Sequence, residues 1–352
     1  KFLKEKPSFV AILGAGNFEA PTDILGKMFV HNKVAIYKSH PMNRAAVDPI
    51  LPVLFKPLID DGYLAICSGE VGVGQAILHS ELTDEAMMTG GCATFDRIVW
   101  GSPEEQEKRK ESGAPVFEKP FTAELGAVSP WIIVPGDWSK GELQHQAEFL
   151  AASKMANASA ICASPQIVVL DKDWPLAQEF VKKVEEVLKN WPDFEHYYVG
   201  TLDRVSSLEK SSPNSYHVKN CSDDKIVDPL IIPETDDDSL VLKSEAFAPV
   251  LAYHYLETGN DVEKFLKEAV NFCNNCLFGT LSGSIMISPK TQKKHSDAFE
   301  KALKDLAYGS IGVNEWGGSV NFFGHLRWGA RPGAHTKEDI QSGEGQVGNY
   351  CM

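Results

Sequence analysis

Short apolar runs alternate with segments of helical pattern along the first third of the chain. The pattern predicts strands over 8–13, 34–37 and 63–67, and helices over 21–30 and 45–60 between them. Alternation of strands and helices at this pitch is typical of βαβ units and of a mainly parallel sheet. The first third of the chain is therefore predicted to be α/β.

The middle of the chain repeats this alternation after an interruption. Strands are predicted over 131–134 and 167–170, and helices over 142–155 and 176–188. The segment 102–119 is charged and is predicted to form a loop-like insertion. The segment 190–238 is rich in Pro, Asp, Ser and aromatic residues, and we expect it to form long surface structure.

The composition is that of a large globular protein. The chain has 352 residues, of which 43% are hydrophobic and 23% charged, and a chain of this size is expected to form two domains. Its formal net charge of -14 argues against a nucleic-acid-binding surface. No apolar stretch has the length that a membrane-spanning helix needs. We expect a soluble, acidic protein without a nucleic-acid partner.

The seven cysteines favour a reducing compartment, the cytoplasm or an organelle matrix, because they are odd in number and lack disulfide-type spacing. Cys273 and Cys276 form a CxxC pair, but no second pair of ligands lies at zinc-like spacing. We therefore predict structural cysteines there and no metal. The chain begins at Lys1 without a visible targeting segment, and both ends are interpreted as cut.

Cys162 is the strongest candidate for a chemically reactive residue. It follows a stretch of small residues, A-N-A-S-A-I at 156–161, and precedes the apolar run 167–170. Small neighbours let a substrate approach the sulfur, and the thiolate is the reactive form of cysteine. Glu124 lies upstream and offers a base for a later step. A buried, unreactive thiol is the competing interpretation of Cys162.

Two glycine-rich turns follow predicted strands. The turn at 14–20, G-A-G-N-F-E-A, matches a dinucleotide-binding fingerprint, but Lys38 stands where that fingerprint expects a carboxylate. The turn at 68–74, S-G-E-V-G-V-G, offers a second cradle of backbone N–H groups for phosphate. Each turn is also consistent with an ordinary connection between a strand and a helix.

Seven short motifs of the aldehyde dehydrogenase superfamily have counterparts here, in the family's order. They lie at 14–21 (G-A-G-N-F-E-A-P), 38–41 (K-S-H-P), 88–91 (M-T-G-G), 124–130 (E-L-G-A-V-S-P), 157–162 (N-A-S-A-I-C), 245–250 (E-A-F-A-P-V) and 308–314 (Y-G-S-I-G-V-N). A single short motif is weak evidence, whereas an ordered set is specific. The chain therefore resembles this superfamily over nearly its whole length.

The resemblance implies a fold and a division of the chain. It implies an aldehyde dehydrogenase-like α/β fold, with a Rossmann-type NAD(P)-binding domain over 1–126 and an α/β catalytic domain over 127–322. The segment 323–352 would return to the cofactor domain or serve oligomerisation. The ending, W-G-A-R-P-G at 328–333 and D-I-Q-S-G at 339–343, is similar to a divergent, longer branch of the family. That likeness implies a missing N-terminal region and a homo-oligomer.

The resemblance also implies roles for individual residues in oxidising a small aldehyde with NAD or NADP. Cys162 would be the nucleophile, Glu124 the base, and Asn17 a donor to the oxyanion together with the Cys162 N–H. The residues expected to contact the cofactor are Lys38, Gly69, Gly74, Thr89, Gly90, Leu125, Glu245 and Phe247.

The departures from the family pattern concern the cofactor and the approach to the cysteine. Pro41 replaces a glutamate that binds the ribose, which relaxes the expected choice between NAD and NADP. Gly91 replaces a serine that touches the pyrophosphate. Ser159 and Ala160 replace Gly-Gln ahead of the cysteine.

Three alternatives remain open at this point. A catalytically silent, structural member of the family is compatible with the altered cofactor contacts. A CoA-acylating aldehyde dehydrogenase would pass the thioester to CoA, although Glu124 counts against it. A reductase with the G-x-G-x-x-A fingerprint would not need the thiol of Cys162.

Overall fold

The computed structural model describes residues 8–17, 20–45, 47–219, 221, 223, 225–323 and 326–345. The strands are β1 Ser8–Leu13, β2 Lys33–Lys38, β3 Leu64–Cys67, β4 Glu85–Gly90, β5 Phe121–Leu125, β6 Ser129–Ile133, β7 Pro165–Asp171, β8 Tyr216–His217, β9 Leu230–Ile232, β10 Val250–Leu256, β11 Ser282–Met286, β12 Ser310–Val313 and β13 Gly343–Glu344. The helices are α1 Ala20–Leu25, α2 Leu51–Leu54, α3 Lys56–Asp60, α4 Val71–Leu78, α5 Cys92–Trp100, α6 Pro103–Ser112, α7 Lys140–Met155, α8 Ala177–Lys189, α9 Thr201–Ser211, α10 Leu240–Lys243, α11 Val262–Cys276, α12 Pro289–Lys294 and α13 Ser296–Asp305.

The chain divides into two compact units. One contains 1–126 together with 321–352, and the other contains 127–320. The functional roles assigned above to 1–126, 127–322 and 323–352 stay predictions. Within the described ranges, no helix combines the length and the apolar character that crossing a bilayer requires.

The sheet of the first unit has the strand order β13-β5-β4-β1-β2-β3. All of its neighbouring strands are parallel except the pair of β13 and β5. The order 3-2-1-4-5 of the parallel strands is that of a Rossmann-type sheet, in which the order reverses between β1 and β4. The predicted Rossmann-type α/β fold is confirmed here. Buried apolar residues such as Val10, Ile12 and Tyr37 form its core.

The sheet of the second unit has the order β12-β11-β6-β7-β10-β9-β8, and only β8 runs antiparallel to its neighbour. Every residue of β7 is buried. Ile167 and Val169 join the core on one face, while Val168 and Leu170 join the core on the other. Both faces of the sheet are therefore covered, as expected for parallel strands.

Two predictions about charged and polar segments are wrong. The predicted loop at 102–119 contains the helix α6, with Ser102 at its N-cap, Pro103 in its first turn and Gly113 in the left-handed conformation after its end. These are ordinary signals of a helix start and stop, and the charge of the segment hid them. The predicted surface segment at 190–238 contains α9 and the fully buried strand β9.

The predicted single helix over 45–60 is also wrong. Residues 44, 45 and 47–50 form turns, and the two short helices α2 and α3 follow them. Pro52 and Pro57 each occupy the first turn of one of these helices. Proline lacks the N–H that a continuing helix needs, so each proline starts a new helix.

Gly343 pairs with Glu124 where β13 meets β5. Its φ is +112°, and a Cβ built there would lie 1.9 Å from the carbonyl oxygen of Ala123. A side chain would therefore push the two strands apart beside Glu124.

We predict that Gly343→Ala lowers the free energy of unfolding by more than the roughly 1–2 kcal/mol expected for a left-handed residue alone. Gly113→Ala is the matched control, because Gly113 also has a positive φ but nothing lies within 4 Å of its Cβ position. Chemical denaturation of both variants measures the difference. Equal losses would show that the contact between β13 and β5 is not sterically constrained.

Candidate functional site

The candidates in the first unit lie along one edge of its sheet. Because the strands are parallel, the ends of β1, β2, β3, β4 and β5 lie side by side: Leu13 pairs with Lys38, Lys38 with Cys67, and Thr89 with Glu124. Asn17, Gly69 and Gly74 lie in or just after the connections that leave this edge, and Gly90 and Leu125 end their strands. The carboxyl edge, where the strand order reverses, is the usual ligand-binding edge of such a sheet.

Lys38 ends β2 and is buried, with 9% of its surface exposed. Burial lowers the pKa of its ammonium, while Cys67, Glu70 and Asp48 act in the opposite direction. Its carbonyl accepts a hydrogen bond from the Gly14 N–H at 3.0 Å, which fixes the turn after β1 against the end of β2.

Gly69 occupies a backbone conformation that a side chain would not tolerate. Its φ is +152°, and an added Cβ would lie 2.5 Å from Cγ2 of Val73. The helix α4 begins two residues later, so its first N–H groups face the carboxyl edge of the sheet. This turn has the form of a backbone cradle for an anionic group.

Glu124 is almost completely buried, with 1% of its surface exposed. Its Oε1 accepts a hydrogen bond from Nε1 of Trp328 at 3.3 Å. The sequence pointed to the segment of Trp328 only as a family ending. In the structure, the indole of Trp328 lies in the C-terminal part of the same unit and orients the Glu124 carboxylate.

Cys162 belongs to the second unit and is 9% exposed. The loop that leads to it contains three consecutive left-handed residues, with φ of 50° at Asn157, 55° at Ala158 and 62° at Ser159. The hydroxyl of Ser159 donates to the carbonyl of Lys154 at 2.6 Å. Left-handed backbone at residues other than glycine is costly and concentrates at functional sites.

Gln166 ties the segment of Cys162 to the segment of Glu245. Its Nε2 donates to the carbonyls of Val241 and Ser244, and its Oε1 accepts from the N–H of Ala246. Because β7 and β10 are parallel neighbours, the residues preceding both strands lie at the amino edge of this sheet. The structure therefore brings Cys162, Glu245 and Phe247 to one edge of the second unit.

Arg204, on α9, holds the turn that contains Glu245 and Phe247. Its guanidinium donates to the carbonyls of Ala246 and Phe247 at 2.8 and 3.2 Å, and lies 5.9 Å from the ring centroid of Phe247. Phe247 has a φ of 44° and packs edge-on against Tyr198. Sequence reasoning missed Arg204, because it lies in a segment interpreted as surface structure.

Lys154 is a buried cation at the end of α7, with 1% of its surface exposed. Burial lowers the pKa of its ammonium from 10.5 to about 7, and Glu245 opposes that shift. Burial likewise raises the pKa of the Glu245 carboxyl from 4.5 to about 8, against the effects of Arg204, the Ala127 N–H and Lys154. Oppositely shifted groups of this kind are typical of functional sites.

Each unit, considered by itself, contains residues that suit a part of a nicotinamide dinucleotide. Oε1 of Glu245 is shielded from solvent and has no donor among the described residues, so it can accept a hydrogen bond from a ribose hydroxyl. In the first unit, considered by itself, the cradle at Gly69 and the cation of Lys38 suit phosphate and ribose groups. No cluster of three or more metal-ligating side chains occurs in the part of the chain that the structure describes.

The first unit has a Rossmann-type α/β fold, and comparison with known proteins specifies the family. The sequence profile of the aldehyde dehydrogenase family matches residues 35–327. The chain belongs to that family, as its motifs predicted.

Curated relatives are distant and longer. Mouse (Mus musculus) aldehyde dehydrogenase family 3 member A2 is 23% identical over 278 residues, covering 76% of this chain and 52% of the relative. Aldehyde dehydrogenase 1 of Tanacetum cinerariifolium is 19% identical over 272 residues, covering 73% of this chain and 48% of the relative. The chain thus spans about half the length of the curated relatives it matches.

Solved structures share the fold. The glyceraldehyde-3-phosphate dehydrogenase GapN of Methanocaldococcus jannaschii, complexed with NADP, matches with a TM-score of 0.72 at 18% identity, covering 98% of this chain and 70% of that protein. The indole-3-acetaldehyde dehydrogenase AldA of P. syringae, in complex with NAD+, matches with a TM-score of 0.74 at 18% identity. The match covers 97% of this chain and 65% of that protein.

We predict that Lys154→Met stabilises the protein most at and below pH 7. The unfolded chain holds the Lys154 proton up to pH 10.5, while the folded chain loses it near pH 7, so the cost of burial shrinks as the pH rises between these values. Removing the buried ammonium removes a desolvation penalty on the order of several kcal/mol, which the attraction of Glu245 offsets in part. Urea unfolding at pH 6, 8 and 10 measures the gain.

Lys304→Met on α13 is the control, because Lys304 is exposed. It should change the free energy of unfolding little at any of the three pH values. A gain for Lys154→Met that stays constant between pH 6 and 10 would contradict the assigned titration.

Proposed function

We propose that this chain oxidises an aldehyde to a carboxylic acid with NAD or NADP, using Cys162 as the covalent nucleophile. The observation that carries the proposal is the strained loop 157–159, which leads to Cys162 at the sheet edge that also bears Glu245 and Phe247. A buried, unreactive thiol would not need three costly left-handed residues ahead of it. The small aldehyde and a homo-oligomeric state are parts of this proposal.

The chemistry begins with a bond from the Cys162 thiolate sulfur to the aldehyde carbon, which forms a thiohemiacetal. The carbonyl oxygen becomes an oxyanion, and we assign the Asn17 amide and the Cys162 N–H as its donors. Bound NAD(P)+ would accept the hydride from that carbon. Loss of the hydride leaves a thioester on Cys162, because carbon has been oxidised while the carbon–sulfur bond stays intact.

Glu124 is assigned to the last step. Its carboxylate would take a proton from water, and the resulting hydroxide would attack the thioester carbon and release the acid and the thiol. The hydrogen bond from Trp328 supports this role, because it orients the Glu124 carboxylate. A general base of this kind favours hydrolysis over transfer to CoA.

Cofactor residues are assigned in each unit by itself. Lys38, Gly69 and Gly74 are assigned to the adenosine and phosphate groups, and Thr89, Gly90 and Leu125 to the approach towards the nicotinamide. Glu245 and Phe247 are assigned to the nicotinamide ribose and ring. Arg204 is a positioning residue, since its guanidinium holds their turn.

We predict that Cys162→Ser lowers kcat for aldehyde oxidation by at least about a thousandfold, as loss of a covalent nucleophile does. NADH and NADPH formation over a panel of aldehydes measures it. The same variant should lose an iodoacetamide-reactive thiol that we expect in the wild type. A wild type inert with every aldehyde and both cofactors would support the silent, structural alternative.

Cys276→Ser is the matched control for this experiment. Cys276 is a partly buried thiol at the end of α11 in the same unit, and no role is assigned to it. Its variant should keep the wild-type rate and the reactive thiol. Turnover that survives in Cys162→Ser would remove the cysteine from the mechanism and favour a reductase.

We predict that Trp328→Phe lowers kcat about tenfold, because the Glu124 carboxylate loses a hydrogen-bond donor and a bond to a charged acceptor contributes about that factor. Iodoacetamide labelling of Cys162 should continue in this variant. Trp138→Phe is the control, since the Trp138 indole donates at 3.0 Å to the carbonyl of Val134, outside the candidate site. Equal kcat values in the two variants would show that Trp328 does not orient the base.

A further inference from the structure

Asp48 lies across the ends of β2 and β3, next to Lys38. Its Oδ2 accepts hydrogen bonds from Oγ of Ser39 at 2.9 Å and from Oγ of Ser68 at 3.0 Å. Ser39 directly follows β2 and Ser68 directly follows β3, and the N–H of Ser39 donates to the carbonyl of Cys67 at 3.0 Å. The carboxylate is therefore fixed at the carboxyl edge of the sheet, where Lys38 ends its strand.

The second oxygen of Asp48 lacks a donor. Oδ1 is shielded from solvent and forms no hydrogen bond with the residues that the structure describes. A shielded carboxylate oxygen is costly until a donor reaches it. A hydroxyl group next to Lys38 would supply that donor, whereas a phosphate group at pH 7 would bring further negative charge.

The charges around Lys38 also disfavour a phosphate. Asp48 and Glu70 both act on the Lys38 ammonium. The neighbouring cation, Arg44, is bound through Nη2 to Oε1 of Glu70 at 2.7 Å, with both side chains largely exposed. Lys38 and Arg44 thus each have a carboxylate nearby. A 2′-phosphate would meet two carboxylates and compete with Glu70 for Arg44.

We propose that Asp48 supplies the ribose-binding carboxylate that is absent at Pro41, and that this chain consequently prefers NAD over NADP. The inference rests on the proposed function, because it takes Lys38 as the site of the adenosine ribose. Lys38 and Asp48 together bind the ribose 2′- and 3′-hydroxyls, one as donor and the other as acceptor. The carboxylate has moved from three residues after the lysine to ten residues after it, beyond a turn.

Binding of NADH and NADPH to the full chain, measured by fluorescence titration without aldehyde, tests this directly. The wild type should bind NADH at least about tenfold more tightly than NADPH, as expected for a hydrogen bond to a charged acceptor. Asp48→Asn should reduce that ratio about tenfold, because the side chain keeps its shape but loses its charge. Asp60→Asn is the control, since Asp60 is an exposed carboxylate of the same unit paired with Lys56.

Two further variants extend the test; if Asp48→Asn folds poorly, the wild-type ratio and Glu70→Gln still decide it. Glu70→Gln leaves the tie between Ser39 and Ser68 intact and frees Arg44, so it should strengthen NADPH binding about threefold, in the range of an exposed ion pair. Pro41→Glu in the Asp48→Asn background should restore the preference for NADH, because it returns a carboxylate to the family's position.

A wild type that prefers NADPH, or an Asp48→Asn ratio no different from that of Asp60→Asn, would overturn the assignment of Asp48 and leave the proposed function in place. In that case Asp48 serves only to join the ends of β2 and β3. A chain that binds neither nucleotide would refute the proposed function and this inference together.

Discussion

The parallel pairing of β1 to β5 places residues from distant parts of the sequence along one edge of a sheet. Lys38 lies beside Leu13 and Cys67, and Thr89 lies beside Glu124, because a parallel register brings equivalent strand ends together. Helical connections then leave from that edge, so their N–H groups and glycine turns lie there too. The candidate chemistry of the first unit depends on this register more than on any single contact.

In the second unit, the candidate residues lie at the amino edge of the sheet, and a buried amide connects their segments. Cys162 precedes β7 and Glu245 precedes β10, and these two strands are parallel neighbours. Gln166 joins their segments with three hydrogen bonds. Around them the protein retains groups that oppose stability: a left-handed loop, the buried amine of Lys154 and the shielded Oε1 of Glu245. Destabilising groups that cluster at one edge of a sheet are typical of a functional site rather than of a folding core.

The sequence predicted some elements well and others poorly for identifiable reasons. The strands β1 and β7 are predicted correctly because short continuous apolar runs are typical of strands in a parallel sheet. The sequence pattern does not predict the helix α6, because its high charge is also typical of a loop, although Ser102, Pro103 and Gly113 are typical of helix ends. The strand β9 was missed because three apolar residues in a polar segment become a strand only through pairing with β10.

Ordered motifs in the sequence alone determined the family and named Cys162, Glu124 and Lys38, because residue identity in a fixed order survives without any knowledge of contacts. Tertiary structure decided what supports them. Trp328 donates to Glu124 across about 200 residues of sequence, Arg204 holds the turn of Phe247, and Asp48 stands beside Lys38 through two serines. Such partners carry no local signal, since their proximity arises only when sheet register and turns bring separate segments together.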